Sequence, residues 1–414
     1  MEKQHPATAW AGGLLATMDP DIDGEYGILR DRVLISRGGL IDGIYSANDP
    51  EVKACAERID LDGALVSPGF VDCHTHLVFA GNRAREWEMR LNGASYGEIA
   101  AAGGGIRSTV NATRAADFKG LYALSEERLK AMAACGVTTV EIKSGYGLDL
   151  DNERKQLAVA AALKKNCPMD ISPTLLAAHS VPPEYSGRPE DYMEEICAHI
   201  LPRLWREGLF EAADVFCENI AFNRELTEKL FKTASSFGIP VKGHNEQMSN
   251  MGGSALTARY GGWSTDHVEQ LDEEGVKALS SARTAAVLLP SAFYFLRDTH
   301  VPPVGLLRQY RIPMAVATDY NPGTSPFSSI RQAMNMACTL FGLTPAEAMT
   351  GVTGNAAKAL GREHICGRLK KGFRADFLIW KAESPAELIY ELGPNPLLKR
   401  VVRGKASLFG FGDS

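Results

Sequence analysis

Through the middle of the chain, apolar runs of five to eight residues alternate with longer stretches of helical period. The runs cover residues 66–71, 136–142, 171–178, 213–217, 239–243, 263–268, 285–289 and 312–318. A run that is apolar on both faces reads as a strand buried on both sides, the habit of a parallel sheet covered by helices. Between most runs the apolar spacing turns helical, as over 121–135, 152–165, 191–207 and 224–237. Eight strand–helix units in series predict an α/β fold, a (β/α)8 barrel of the TIM type. The two ends read differently. Residues 26–29, 32–35 and 40–45 are short β-like pieces between Gly, Asp and Asn, and 375–380 and 400–402 repeat that pattern after about Gly361. The pattern divides the chain into 1–66, a barrel over 67–360, and 361–414, with both ends building one small β-sandwich domain.

Composition narrows the function classes. The 414 residues are 45% apolar and 23% charged, which suits a folded protein with a large core. The net charge of −6 argues against a nucleic-acid-binding surface. Eight cysteines are scattered without a CxxC pair, the pattern of reduced thiols and a cytoplasmic protein. The apolar stretch near the N-terminus is short and holds Gly12 and Gly13, so it does not read as a signal peptide. The most apolar uncharged run, 284–296, contains Pro290 and is too short to span a bilayer.

The candidate chemistry gathers at strand ends. Of nine histidines, His74 and His76 follow the first strand, His179 the third and His244 the fifth, while His267 lies at the end of the sixth and Asp319 ends the eighth. In a barrel of this kind, the strand C-termini form the active-site face. His74 and His76, two apart on an extended segment, project to one side and suit one metal ion. Three imidazoles and a carboxylate make a compact N/O donor set with room for water. Gly93-Ala94-Ser95-Tyr96-Gly97 matches GxSxG, but the charged, helical stretch before it is no nucleophile-elbow strand. Gly103-Gly104-Gly105 lacks a phosphate-loop context and reads as a loop over the site.

Pro68-Gly69-Phe70-Val71-Asp72-Cys73-His74-Thr75-His76 resembles the first metal-binding strand of the amidohydrolase superfamily. Further motifs resemble its imidazolonepropionase family. These are Arg83, Arg90-Leu91-Asn92-Gly93, Lys143-Ser144-Gly145-Tyr146-Gly147-Leu148, His179-Ser180-Val181-Pro182-Pro183 and Asp319-Tyr320-Asn321-Pro322-Gly323-Thr324-Ser325. The resemblance implies that His74, His76, His244 and Asp319 hold one divalent ion, zinc or iron. It implies substrate contacts from Arg83, Tyr146, His179 and Gln247, with Asn321, Gly323 and Thr324 closing the site. His267 would stand beside the metal-bound water and, protonated, steady the oxyanion, while Asp319 would carry the proton. Lys143 falls on the second strand and the fourth has no lysine to bridge a second metal, so one ion is the expectation.

The implied reaction is hydrolytic opening of 4-imidazolone-5-propanoate to N-formimidoyl-L-glutamate in histidine degradation, by a cytoplasmic homodimer. The runner-up is another mononuclear amidohydrolase, such as a heterocycle aminohydrolase. Two positions depart from the family pattern. Gln247 stands where some members place a glutamate, and an amide cannot exchange a proton, which leaves proton handling to His267 and Asp319. Tyr320 beside Asp319 has no assigned role.

Overall fold

Eight parallel strands follow one another in chain order around a single sheet. They are β1 (Phe70–Asp72), β2 (Val137–Lys143), β3 (Asp170–Ala178), β4 (Ala212–Cys217), β5 (Lys242–Asn245), β6 (Ser264–His267), β7 (Ala285–Leu288) and β8 (Met314–Val316). This computed structural model describes residues 6–95, 98 and 103–407; Tyr96 and Gly97 of the GxSxG match lie outside them. The last strand closes onto the first at their C-terminal ends. Thr75 bridges Tyr320 in parallel, Asp319 N–H donates to His74 O over 3.0 Å, and His76 N–H donates to Tyr320 O over 3.0 Å. The fold is therefore the expected barrel, and its closure lays the His74–His76 segment directly against Asp319.

The run expected over 66–71 serves two sheets. Leu65–Pro68 pairs antiparallel with Phe377–Trp380 and parallel with Leu14–Ala16, in a six-stranded sheet built from both chain ends. Only Phe70–Asp72 enters the barrel. Gly69 makes the hinge: its N–H donates to Asp376 O over 2.9 Å, and a Cβ there would lie 2.1 Å from Thr138 Oγ1. An apolar run buried on both faces looks the same in either sheet, so periodicity alone could not divide it. A four-stranded sheet packs Ala7–Ala11, Arg32–Arg37, Leu40–Ser46 and Glu57–Asp60 together, and Trp10 meets Phe377 edge-on between the two sheets. Arg374 ties this part to the barrel, its Nη1 lying 2.7 Å from Asp170 Oδ2 at the start of β3.

The helix expected over 191–207 is interrupted. Pro189–Glu195 and Leu201–Arg206 are α-helical, and Ile196–Ile200 between them widens into a π turn. Pro202 has no N–H to give the preceding turn, and a wider turn accommodates that loss. All eight cysteines are free. Among the described residues, no helix is long and apolar enough to cross a membrane.

Candidate metal centre and substrate pocket

Strand closure and the short β5 and β6 bring five titratable side chains into one buried cluster. His74, His76 and Asp319 each present a ligand atom within 4.8 Å of the others, as do His74, His244 and His267. His74 Nε2 lies 3.4 Å and His76 Nε2 3.5 Å from Asp319 Oδ1, and His76 Nε2 lies 3.3 Å from His244 Nε2. His74 Nε2 is buried with no hydrogen-bond partner. A buried polar atom without a partner is costly, and a cation among these atoms would supply one. Burial, then neighbouring charges such as Lys143, pushes His74, His76 and His244 well below the usual histidine range. They are neutral, the form in which imidazole binds a metal. Burial also pushes the Asp319 carboxyl well above its usual range, a sign that a bound cation reverses. The donor set is able to hold a metal ion.

His267 and Asp319 sit on strained backbone, with φ of +85° and +52°, a region that non-glycine residues seldom adopt. Such outliers gather at functional sites. Burial pushes His267 down to about 4. The protonated ring expected from the sequence is thus not the resting form, and His267 offers one N–H as a neutral imidazole.

Beneath the histidines lies a layer of buried charge that the sequence reading passed over. Lys143 Nζ lies 2.6 Å from Asp214 Oδ2, 2.9 Å from Glu141 Oε2 and 3.4 Å from Asp266 Oδ2. Lys242 Nζ lies 2.9 Å from Glu141 Oε1 and donates to Cys73 O over 3.1 Å. Burial alone would lower Lys143, but Asp214, Glu141 and Asp266 outweigh it and raise it well above the usual lysine range. It stays an ammonium and is not available as a bridge between two metals. Asp266 Oδ2 in turn lies 2.6 Å from His74 Nδ1, and Asp214 Oδ2 lies 3.0 Å from His244 Nδ1. The available signal was the charged residue inside four of the eight runs, Glu141, Asp214, Lys242 and Asp266, because a buried charge needs a partner.

The expected substrate residues all follow the C-terminal ends of barrel strands. Arg83 Nε binds Glu86 Oε2 over 2.8 Å, and the same oxygen accepts Gly105 N–H over 3.0 Å. The Arg83 guanidinium lies so close to Gly323 that a Cβ there would sit 2.0 Å from Nη1. Asn321 spends its amide within its own turn. Its Oδ1 accepts Gly323 N–H and Thr324 N–H, each over 2.8 Å, and its Nδ2 donates to Asp319 O over 2.7 Å. Tyr146 rides a loop pinned by the buried Glu153, whose Oε1 accepts Gly147 N–H and Leu148 N–H over 2.8 Å each. Its ring centroid lies 5.9 Å from that of His76, and burial keeps the phenol protonated. His179 stacks on His76 at 5.0 Å, and its Nδ1 lies 3.1 Å from Gly145 O. Gln247 is half-buried on a segment that Glu218 holds through Met248 N–H and Ser249 N–H.

Glu246 turns away from the cluster. Its carboxylate accepts Gly253 N–H over 2.7 Å and Ser254 N–H over 3.0 Å, and it bonds the Ser254 hydroxyl, at the start of helix Gly253–Arg259. Tyr320, left without a role, faces the ring of Phe79 at the pocket that Arg83, Trp87, Arg128 and Phe295 also line.

The model of the amidohydrolase family matches residues 65–406. The chain is 56% identical over 395 residues to an imidazolonepropionase of Photorhabdus laumondii, covering 95% of each chain. It is 55% identical over 401 residues to one of Salmonella schwarzengrund, covering 97% of this chain and 98% of that protein. Among solved structures it is similar to an adenosine deaminase of Xanthomonas campestris with bound zinc, at TM-score 0.66 and 17% identity over 97% of this chain and 93% of the other. It is similar also to guanine deaminase of E. coli, at TM-score 0.69 and 16% identity over 98% and 99% of the two chains. Likeness at that identity speaks for the fold alone.

Proposed function

Because this chain belongs to the amidohydrolase family and, within it, to the imidazolonepropionases, we propose that its barrel opens the ring of 4-imidazolone-5-propanoate by hydrolysis. Water adds to the ring carbonyl carbon, the adjacent carbon–nitrogen bond breaks, and the freed nitrogen takes a proton. The product is N-formimidoyl-L-glutamate. The observation that carries this reading is the buried cluster of His74, His76, His244 and Asp319, with Tyr146 and His179 set against His76.

In this reading those four residues hold one divalent ion, zinc or iron. When bound, the ion activates water and polarises a carbonyl. Asp319 Oδ1 takes the proton of the attacking water and returns it to the leaving ring nitrogen. His267 gives its single N–H to the developing oxyanion, as a fixed dipole in a dry site. Arg83 has spent Nε on Glu86, so its Nη1 and Nη2 remain for the substrate propionate, a planar fork matched to a carboxylate. Tyr146 and His179 confine the ring, Gln247 hydrogen-bonds it, and Asn321, Gly323 and Thr324 shape the turn against which Arg83 rests.

We assign the chemistry to residues 67–360, with 1–66 and 361–414 as the buttressing domain. The resemblance extends the proposal to a cytoplasmic homodimer working in histidine degradation. The test is an assay on synthetic imidazolone propionate that follows loss of ring ultraviolet absorption and identifies the product by mass. Formimidoylglutamate without ammonia supports ring opening. Ammonia release would favour a heterocycle aminohydrolase instead.

A further inference from the structure

The buried layer under the histidines raises a question of geometry. Each imidazole has two nitrogens, and only a bare one can bind a cation. His74 Nδ1 lies 2.6 Å from Asp266 Oδ2, and an ionised carboxylate can only accept. Nδ1 therefore carries the hydrogen, and Nε2 is left bare. That Nε2 is the buried atom without a hydrogen-bond partner beside Asp319. Asp266 cannot turn away. Ser264 Oγ donates to its Oδ1 over 2.5 Å, while Lys143 and Lys242 Nζ lie 3.4 and 3.7 Å from Oδ2. On the other side of Lys143, Asp214 Oδ2 lies 2.6 Å from the ammonium and 3.0 Å from His244 Nδ1, with Oδ1 accepting Val215 N–H over 2.7 Å; the Asp214–His244 pair is at ion-pair distance without hydrogen-bond alignment, and the carboxylate charge favours the hydrogen on that nitrogen.

We propose that Lys143 is a positioning residue for the metal ligands: by gripping Asp266 and Asp214 it fixes His74 and His244 as Nδ1–H tautomers with bare Nε2 atoms. One ammonium on β2 thus sets two rings, from β1 and β5, through carboxylates on β6 and β4. Partners that orient a ligand in this way typically matter about 10- to 100-fold in metal affinity.

The inference rests on the ligand set proposed above, and its test separates the two. Ring tautomers are read first in metal-free protein, from long-range 1H–15N spectra of chain labelled at histidine. His74 and His244 are expected as Nδ1–H forms. Asp266→Ala takes the acceptor away from His74 Nδ1, so the ring should lose its pure Nδ1–H signature and show the Nε2–H form as well. Asp266→Asn should keep the native tautomer, because the two ammoniums hold its amide oxygen at the Oδ2 place that faces His74. Asp214→Ala should act on His244 as Asp266→Ala does on His74. Zinc affinity, by competition with a chelator, should fall about 10- to 100-fold in each alanine variant. Lys143→Met should blur both tautomers at once; since it strands buried carboxylates, the two alanine variants decide the matter if it does not fold.

Nε2–H forms in the unsubstituted protein would overturn the proposal. So would native tautomers in both alanine variants, or zinc affinity there within about twofold of the unsubstituted chain. A chain that binds no zinc but shows the expected tautomer switches refutes the ligand set and leaves the tether standing.

Discussion

Gly323→Ala probes the substrate clamp without removing any polar atom. A Cβ at 323 would lie 2.0 Å from Arg83 Nη1 and 2.9 Å from its Cζ. Non-bonded atoms of this kind settle near ~3.5 Å, so the guanidinium must retreat by about 1.5 Å. Backbone strain plays little part, because Gly323 is not among the residues with positive φ. The burden falls on a flexible side chain, and the Nε bond to Glu86 at 2.8 Å must rotate or break. Losing an aligned charge-assisted pair costs about 1.5–3 kcal/mol, or about ten- to a hundredfold in kcat/KM. A displacement of ~1 Å in a positioning group costs up to about a hundredfold, which agrees. The expected outcome is a large rise in KM, a fall in kcat if the clamp also orients the ring, and unchanged metal content. Steady-state kinetics with ultraviolet detection and metal analysis read all three. The control is the same substitution in an Arg83→Ala background, where it should be nearly silent. An undiminished loss in that background would mean that the alanine damages the Asn321 turn rather than Arg83. Wild-type kinetics in the single variant would refute the clamp itself.

His76→Ala should lose bound metal and activity together while staying folded, against one equivalent of metal in the unsubstituted chain; two equivalents would refute the single-ion reading. Arg83→Lys keeps the charge and loses the planar fork, so KM should rise about ten- to a hundredfold; unchanged kinetics would leave Arg83 a surface residue. Glu246→Gln should cost about 1–3 kcal/mol of stability, seen as a lower Tm, and little kcat, because its carboxylate is engaged at Gly253 and Ser254. His267→Asn should instead lower kcat by about 10²–10⁴-fold, and the reverse ranking would make Glu246 the proton shuttle. Gly69→Ala forces a Cβ to within 2.1 Å of the buried Thr138 Oγ1; overpacking there should cost about 1–3 kcal/mol in denaturant unfolding.

Much of the architecture was legible in the order of residues. Apolar runs separated by helical stretches establish strands buried on both faces, and local patterning sets the number of such units. His74 and His76 could be placed on one side of an extended segment because side-chain alternation is a local property. Gln247 in place of a glutamate is equally local, whereas the engagement of Glu246 beside it at a helix start is a tertiary fact.

Other features were decided only when the chain closed. The division of Leu65–Pro68 from Phe70–Asp72 depends on which distant strands offer free edges, Phe377–Trp380 for one and Val137–Lys143 for the other. The meeting of His74 with Asp319 is fixed by backbone bonds between the first and last strands, 245 residues apart along the chain (319 − 74). The charge layer of Glu141, Lys143, Asp214, Lys242 and Asp266 is the clearest case. Glu141 and Lys143 share β2, two positions apart, while Asp214, Lys242 and Asp266 stand on three further strands with no partner nearby in sequence. Coulomb interactions in a dry interior depend on distance in space. Which nitrogen of His74 faces the site is therefore set by Asp266, 192 positions away, and no local pattern encodes it.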